Sequence, residues 1–130
     1  MENLDIKGSF TSPTIFFDIE NLIFTIEGEC RPENVLTFFQ PILDWLDDLK
    51  VHAAQQNYNS KVLQFNFKIE YFNSSSAKFI FTIFKKIKLL QEFGIKIEVN
   101  WNYDELDEDL FETGKELQKI LELKFNFIAI

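Results

Sequence analysis

Residues Glu70-Tyr71-Phe72-Asn73-Ser74-Ser75-Ser76-Ala77-Lys78 hold the strongest candidate chemistry in this chain. Three consecutive hydroxyls follow an asparagine where an alternating apolar segment gives way to a helical pattern. Ser and Asn at such a junction can accept the orphan backbone N–H groups of a first helical turn. The same hydroxyls suit a second chemistry, acceptance of a phosphoryl group from a kinase. The residues themselves leave the choice among Ser74, Ser75 and Ser76 open. Asn73 precedes the run and Lys78 follows it.

Other residue types that could do chemistry are sparse. His52 is the single histidine and Cys30 the single cysteine, so a disulfide within the chain and a Cys/His zinc site are both excluded. His52 lies in a polar stretch and reads as a solvated side chain. Cys30 has no base partner and reads as a small half-buried residue. No Gly-rich phosphate loop exists among the four glycines. The acidic run Asp104-Glu105-Leu106-Asp107-Glu108-Asp109, with Glu112 beyond it, lacks the spacing and turn glycine of a calcium loop. It reads as a solvated helix start complementing the helix dipole, not a metal site. Lys85, Lys86 and Lys88 read as a solvated helix face. Catalytic, cofactor and metal residues are therefore expected to be absent.

The elements that would position the serines follow from periodicity. Segments 14–19 and 22–27 read as two strands of a hairpin. Val35, Phe39, Ile42, Leu46 and Leu49, widened by Leu36 and Leu43, predict an amphipathic helix over 32–49, with Pro32 at its start and Pro41 as a kink or break. Residues 51–60 read as a polar connection. Strict alternation over 61–72 and 95–103 predicts strands with one apolar and one wet face. Leu63, Phe65, Phe67, Ile69 and Tyr71 belong inside; Gln64, Asn66, Lys68, Lys96, Glu98 and Asn100 belong in solvent. Between those strands, 76–92 is helical, with Gly94 at its end. A third helix is expected from a cap at Asp104, with Leu106, Leu110, Leu117 and Leu121 inward, and 125–130 reads as a last strand. The fold class is α/β: a mixed sheet of about five strands, with an N-terminal hairpin, the remaining strands parallel, and three main helices on one face.

The 130 residues suit a single domain, and a 46% hydrophobic content with 16 Phe suits a globular core. A formal net charge of -8 disfavours nucleic acid and anionic membrane surfaces as partners. No apolar run approaches a membrane span, and the acidic N-terminus has no apolar signal region, so a cytoplasmic location is expected.

In order and spacing, Leu4, Ile6, Gly8, Pro13, Ile15, Phe17 and Asp18, then Gly28, Pro32-Glu33-Asn34, Phe38-Phe39, Pro41 and Asp44-Trp45-Leu46, resemble the SiaC family of bacterial regulatory phosphoproteins. Glu70-Tyr71-Phe72-Asn73, Ser75-Ser76 and Lys78 continue the pattern. Val99-Asn100-Trp101, Tyr103-Asp104, Asp107-Glu108-Asp109 and Gly114 complete it. The resemblance covers nearly the whole chain and implies a single STAS-like domain. It also implies a non-enzymatic adaptor switched by phosphorylation of a threonine in an Asn-Thr-Ser-Ser motif. The position corresponds to Ser74 here, with Ser in place of Thr, so the resemblance implies Ser74 as the acceptor, with Ser75 and Ser76 as alternatives and Asn73 and Lys78 as its switch surface. The implied partners are a protein kinase of histidine-kinase-like ATPase fold, a PPM-type serine/threonine phosphatase, and an effector. In the best-known branch that effector is a diguanylate cyclase, which the unphosphorylated form binds and activates. Two other readings stand beside it. One is a partner switch of the anti-sigma-factor-antagonist type. The other, of a different class, is a ligand-binding or enzymatic domain using the Trp101-Tyr103-Asp104 strand end.

Overall fold

A computed structural model describes residues 1–130. The sheet contains β1 (Leu4–Ile6), β2 (Thr14–Asp18), β3 (Ile23–Cys30), β4 (Val62–Phe72), β5 (Lys96–Tyr103) and β6 (Phe125–Ala129). The helices are α1 (Val35–Gln56), α2 (Ser74–Glu92) and α3 (Glu108–Leu121). Strand order across the sheet is the order in sequence, β1-β2-β3-β4-β5-β6. The first three strands are antiparallel neighbours, and β3 through β6 are parallel.

Sequential parallel strands with right-handed crossovers place every connecting helix on the same side of a sheet. The core accordingly lies between one sheet face and α1, α2 and α3. Phe17, Phe24, Phe65, Phe67, Val99, Trp101 and Phe125 supply the sheet side. Phe39, Ile42, Leu49, Ile83, Phe84 and Ile87 supply the helix side. Phenylalanine does much of the filling: Phe67 meets Phe84 at 4.3 Å between ring centres, and Phe24 meets Phe65 at 4.8 Å.

Several expectations need correction. The sheet has six strands, not five, because Leu4–Ile6 pairs antiparallel with β2; a three-residue strand is too short to show alternation. α1 begins later and ends later than 32–49. Asn34, not Pro32, sets its start, accepting the Thr37 N–H at 3.2 Å. Pro41 lies inside one continuous helix. Most of the expected polar connection after Val51 is helical too, anchored by buried Ala53. Leu36, expected in the core stripe, is exposed.

The start of α3 also differs. Asp107 is its cap, accepting the Leu110 N–H at 3.0 Å, whereas Asp104 caps a preceding turn through the Leu106 N–H at 2.9 Å. Leu106 sits in that turn and is 87% exposed, not inward. Only Glu108 and Asp109 fall in the helix's first turn.

The uncovered sheet face is less wet at its centre than alternation implies. Asn100, expected in solvent, is 6% exposed. Its neighbours explain this: Asn66, Asn100 and Asn126 occupy one row across β4, β5 and β6. Asn100 Nδ2 donates to Asn66 Oδ1 at 2.7 Å, and Asn126 Nδ2 donates to Asn100 Oδ1 at 3.1 Å. The amides satisfy one another and shield the central one from water.

Candidate functional site

The serine run lies at the carboxyl edge of the parallel strands, where β4 turns into α2. A local irregularity prepares the junction. β3 and β4 pair in register up to Gly28 and Ile69, after which Glu29 pairs with Tyr71 and Cys30 with Phe72. Glu70 is the extra residue on β4, so the face assignment beyond it inverts. Tyr71, expected inside, is therefore exposed, and Phe72 packs on the core instead. Gly28, at φ 117°, takes the backbone conformation that the opposite strand needs at this bulge.

Asn73, immediately after the strand, is tied to β3 by its N–H bond to the Cys30 carbonyl at 3.2 Å. Its side chain is the cap of α2, with Oδ1 accepting the Ser76 N–H at 3.0 Å. The capping role thus falls to the asparagine and leaves the serines free of it.

The three hydroxyls are then in three different states. Ser74 occupies the first helical position, is exposed, and its hydroxyl has no protein hydrogen-bond partner. Ser75 is exposed but donates to Asn73 Oδ1 at 3.2 Å. Ser76 is fully buried, and its hydroxyl makes no hydrogen bond of normal geometry. Its polar neighbour is the buried Cys30 thiol. Burial pushes that thiol up to about 11, and the Ser76 hydroxyl only partly opposes the shift. Sulfur is a weak partner, so this pair is poorly satisfied and belongs to the core.

Lys78 lies one turn beyond Ser74 on the same helix face and is exposed. The ion pairs in the structure are Arg31–Glu29 and Lys86–Asp47, so the Lys78 ammonium is unpaired. Beside this surface, Phe72, Ala77, Ile80, Leu117 and Ile120 wall an apolar groove of about 150 Å³ between α2 and α3. Ser74, Asn73 and Lys78 are therefore brought together, while Ser76 is withdrawn.

The remaining candidates are dispersed. His52 packs edge-on against Tyr58 far along α1. No three carboxylate, histidine or cysteine side chains converge as a metal site would require. Of the strand-end trio, Trp101 is buried in the core, its indole N–H donating to the Leu110 carbonyl at 3.1 Å. Tyr103 and Asp104 instead border a cleft of about 850 Å³. Sequence reasoning pointed to this strand end through Tyr103 and Asp104, but not to the β4 wall of the cleft, which arises from strand pairing: β4 and β5 are paired only as far as Phe67 and Trp101. Beyond that point β4 follows β3 and β5 follows β6.

Comparisons with known proteins agree with this architecture. The chain is 24% identical over 119 residues to uncharacterized protein PA14_02130 of Pseudomonas aeruginosa (strain UCBPP-PA14), covering 92% of this chain and 90% of that one. Its structure superposes on apo-SiaC from Pseudomonas aeruginosa with a TM-score of 0.86 at 22% identity, covering 99% of this chain and 100% of the other. It superposes with a TM-score of 0.87 at 23% identity on a chain from the crystal structure of diguanylate cyclase SiaD in complex with its activator SiaC, covering 98% and 99% of the two chains. At these identities the structural likeness establishes the fold. The family is established by a separate match, since residues 6–130 fit the model of the SiaC family regulatory phosphoproteins, and the chain belongs to that family.

Proposed function

We propose that this protein is a non-enzymatic adaptor switched by phosphorylation of Ser74, and that its unphosphorylated form binds and activates a diguanylate cyclase. A kinase of histidine-kinase-like ATPase fold adds the phosphate, and a PPM-type phosphatase removes it. The observation that carries this reading is the division of labour at the junction. Asn73 caps the helix, Ser76 is sealed in the core, and Ser74 presents a free hydroxyl at the surface. Family membership and the SiaD–SiaC complex of the structural relative support the effector class.

The physical account needs no refolding. A phosphoserine carries about -1.5 to -2 charges at neutral pH. At the first position of α2 it meets the helix's free N–H groups and positive dipole end, and Lys78 one turn on can pair with it. The fold tolerates the group. A partner covering the apolar α2–α3 groove would instead have to bury a dianion at its rim. Doing so without full pairing costs several kcal/mol, and each 1.4 kcal/mol is tenfold in affinity.

The test is to incubate the protein with its cognate kinase and ATP and map the phosphate by mass spectrometry. Modification at Ser74, lost in Ser74→Ala, is the expected result. Modification confined to Ser75 moves the acceptor by one residue. No modification by an otherwise active kinase removes the reading. Ser74→Ala is expected to keep effector binding and to resist inhibition by the kinase, and Ser74→Glu to weaken binding.

A further inference from the structure

The two most exposed large apolar side chains of the chain are Phe10, at 94%, and Leu106, at 87%. Single exposed apolar residues are ordinary on a protein surface. These two differ in how they are held and where they stand. Phe10 tips the loop before β2. Ser9 Oγ accepts the N–H groups of Thr11 and Ser12 at 3.2 and 3.1 Å, and the Ser9 N–H donates to the Ser12 carbonyl at 2.9 Å. The Thr11 carbonyl accepts the Arg31 N–H at 2.7 Å, which fixes the loop to the end of β3. Leu106 tips the turn after β5, where Asp104 Oδ1 takes its N–H and the Asp104 carbonyl accepts the Asp107 N–H at 2.8 Å. β4, which leads into Ser74, lies between β3 and β5. On one side of the junction the Cys30 carbonyl accepts the Asn73 N–H, and on the other Glu70 and Leu106 border one cleft. The two turns therefore flank the serine at the same sheet edge, two to three strand spacings apart, on the order of 10–15 Å.

We propose that Phe10 and Leu106 are the two anchors of a docking edge that spans Ser74, each seated in an apolar socket of the effector protein. This deepens the adaptor reading, on which it rests, by naming where the effector takes hold. A few deeply seated side chains carry most of an interface's energy, and turns already fixed in the free protein reduce the ordering cost of docking. Asp104, Glu105, Asp107 and Glu108 surround Leu106 in sequence, so its socket carries a rim of Lys or Arg. The same charge argues against other occupants. Two copies of a chain of net charge -8 repel, and an anionic lipid surface repels each of them. A partner gripping both anchors must lie across the serine between them. A phosphate there meets that partner at the middle of its contact, which is how a local modification releases it.

The experiment measures the affinity of the unphosphorylated full chain for its cognate diguanylate cyclase by isothermal titration calorimetry. Phe10→Ala and Leu106→Ala should each weaken binding about tenfold or more. Phe93→Ala removes an exposed ring past the far end of α2, at the opposite sheet edge, and should leave affinity unchanged. Thermal midpoints of the two anchor variants should match the parent; a variant that unfolds would show a structural side chain and overturn it as an anchor. Binding should weaken as salt rises, and salt independence would overturn the cationic rim. Full affinity in both anchor variants, or equal loss in Phe93→Ala, would overturn the docking edge and leave the adaptor reading standing. No binding by the parent would overturn the cyclase as effector and this edge with it, while the kinase assay reads Ser74 separately. A dimer in sedimentation velocity that is lost in Phe10→Ala would replace the effector with a second copy. Pelleting with phosphatidylcholine vesicles that is lost in the same variant would replace it with a lipid surface.

Discussion

The Asn73 side chain accepts the backbone N–H of Ser76 at 3.0 Å, and this bond separates the structural role of the junction from its chemical one. Removing the acceptor in Asn73→Ala should cost about 0.5–2 kcal/mol, the usual range for a lost helix cap. Ser74→Ala removes an exposed hydroxyl from a helical position and should fall within about 0.5 kcal/mol of the parent. Urea titrations of both variants check the pair. A larger loss for Ser74→Ala than for Asn73→Ala would show that the capping assignment is wrong.

Much of this architecture was legible because the strands alternate and the helices repeat at three and four. Leu63, Phe65, Phe67 and Ile69 lie inside as their alternation requires, and Ile80, Ile83, Phe84, Ile87 and Leu90 face the sheet. Alternation failed where the backbone stops being regular. The extra residue at Glu70 turns Tyr71 outward, and nothing in the local pattern marks a bulge. Asn100 illustrates a different limit, since its burial depends on asparagines 34 residues before it and 26 after it. The serine junction was visible in sequence, but the distinction between exposed Ser74 and buried Ser76 required the position of Cys30. The Tyr103–Asp104 side of the β4–β5 cleft was legible as a strand end, but its β4 wall had no local signal, because it depends on where two distant segments cease to pair.

Gly114 should be intolerant of a side chain. It is buried on the sheet-facing side of α3, where an added Cβ would stand 2.6 Å from Trp101 Nε1 and 2.8 Å from a Phe127 ring carbon. Trp101 cannot retreat without losing its bond to the Leu110 carbonyl. Although alanine is the better helix former, overpacking should dominate and Gly114→Ala should lose about 1–3 kcal/mol. The urea midpoint and the tryptophan emission maximum check this. An unchanged midpoint would mean that α3 can move away at no cost.

The asparagine row predicts a penalty larger than that of an ordinary surface substitution. Asn100→Ala removes two hydrogen bonds and a 6%-exposed side chain, leaving Asn66 Oδ1 only its bond from Gln64 Nε2 and Asn126 Nδ2 only solvent. The expected loss is about 1–3 kcal/mol, against about 0.5 kcal/mol or less for the exposed Glu98→Ala on the same strand. Chemical denaturation of the two variants compares them directly.

The acidic run near Asp104 should not bind divalent ions tightly. Asp104 and Asp107 each spend an oxygen on a local backbone N–H, and no three carboxylates converge. Magnesium or calcium at micromolar concentration should leave the thermal midpoint unchanged. A saturable rise would reveal a site, since a ligand selective for the folded state must stabilise it.

Cys30 gives the chain a stability change in the alkaline range. Its thiol is raised by burial from an ordinary value of 9.0 to about 11 in the folded protein. Between those values the unfolded chain releases the proton while the folded chain retains it. The unfolded state therefore binds fewer protons, and unfolding free energy must fall as pH rises. The contribution is fully present below pH 9 and is lost progressively up to about pH 11. A shift of about two units corresponds to roughly 2–3 kcal/mol. Lysine and tyrosine titration also acts in this range, so the informative quantity is the difference between parent and Cys30→Ala, measured by urea denaturation from pH 8 to 11. Cys30→Ala should be less stable at pH 8, where a buried side chain has been trimmed, and the gap should narrow as pH rises. Thiol labelling supplies an independent measure: Cys30 should react slowly in the folded protein at pH 8 and rapidly in urea. A constant gap across the range, together with fast labelling of the folded protein, would mean that the thiol is open to water and that the Cys30–Ser76 contact is not sealed in the core.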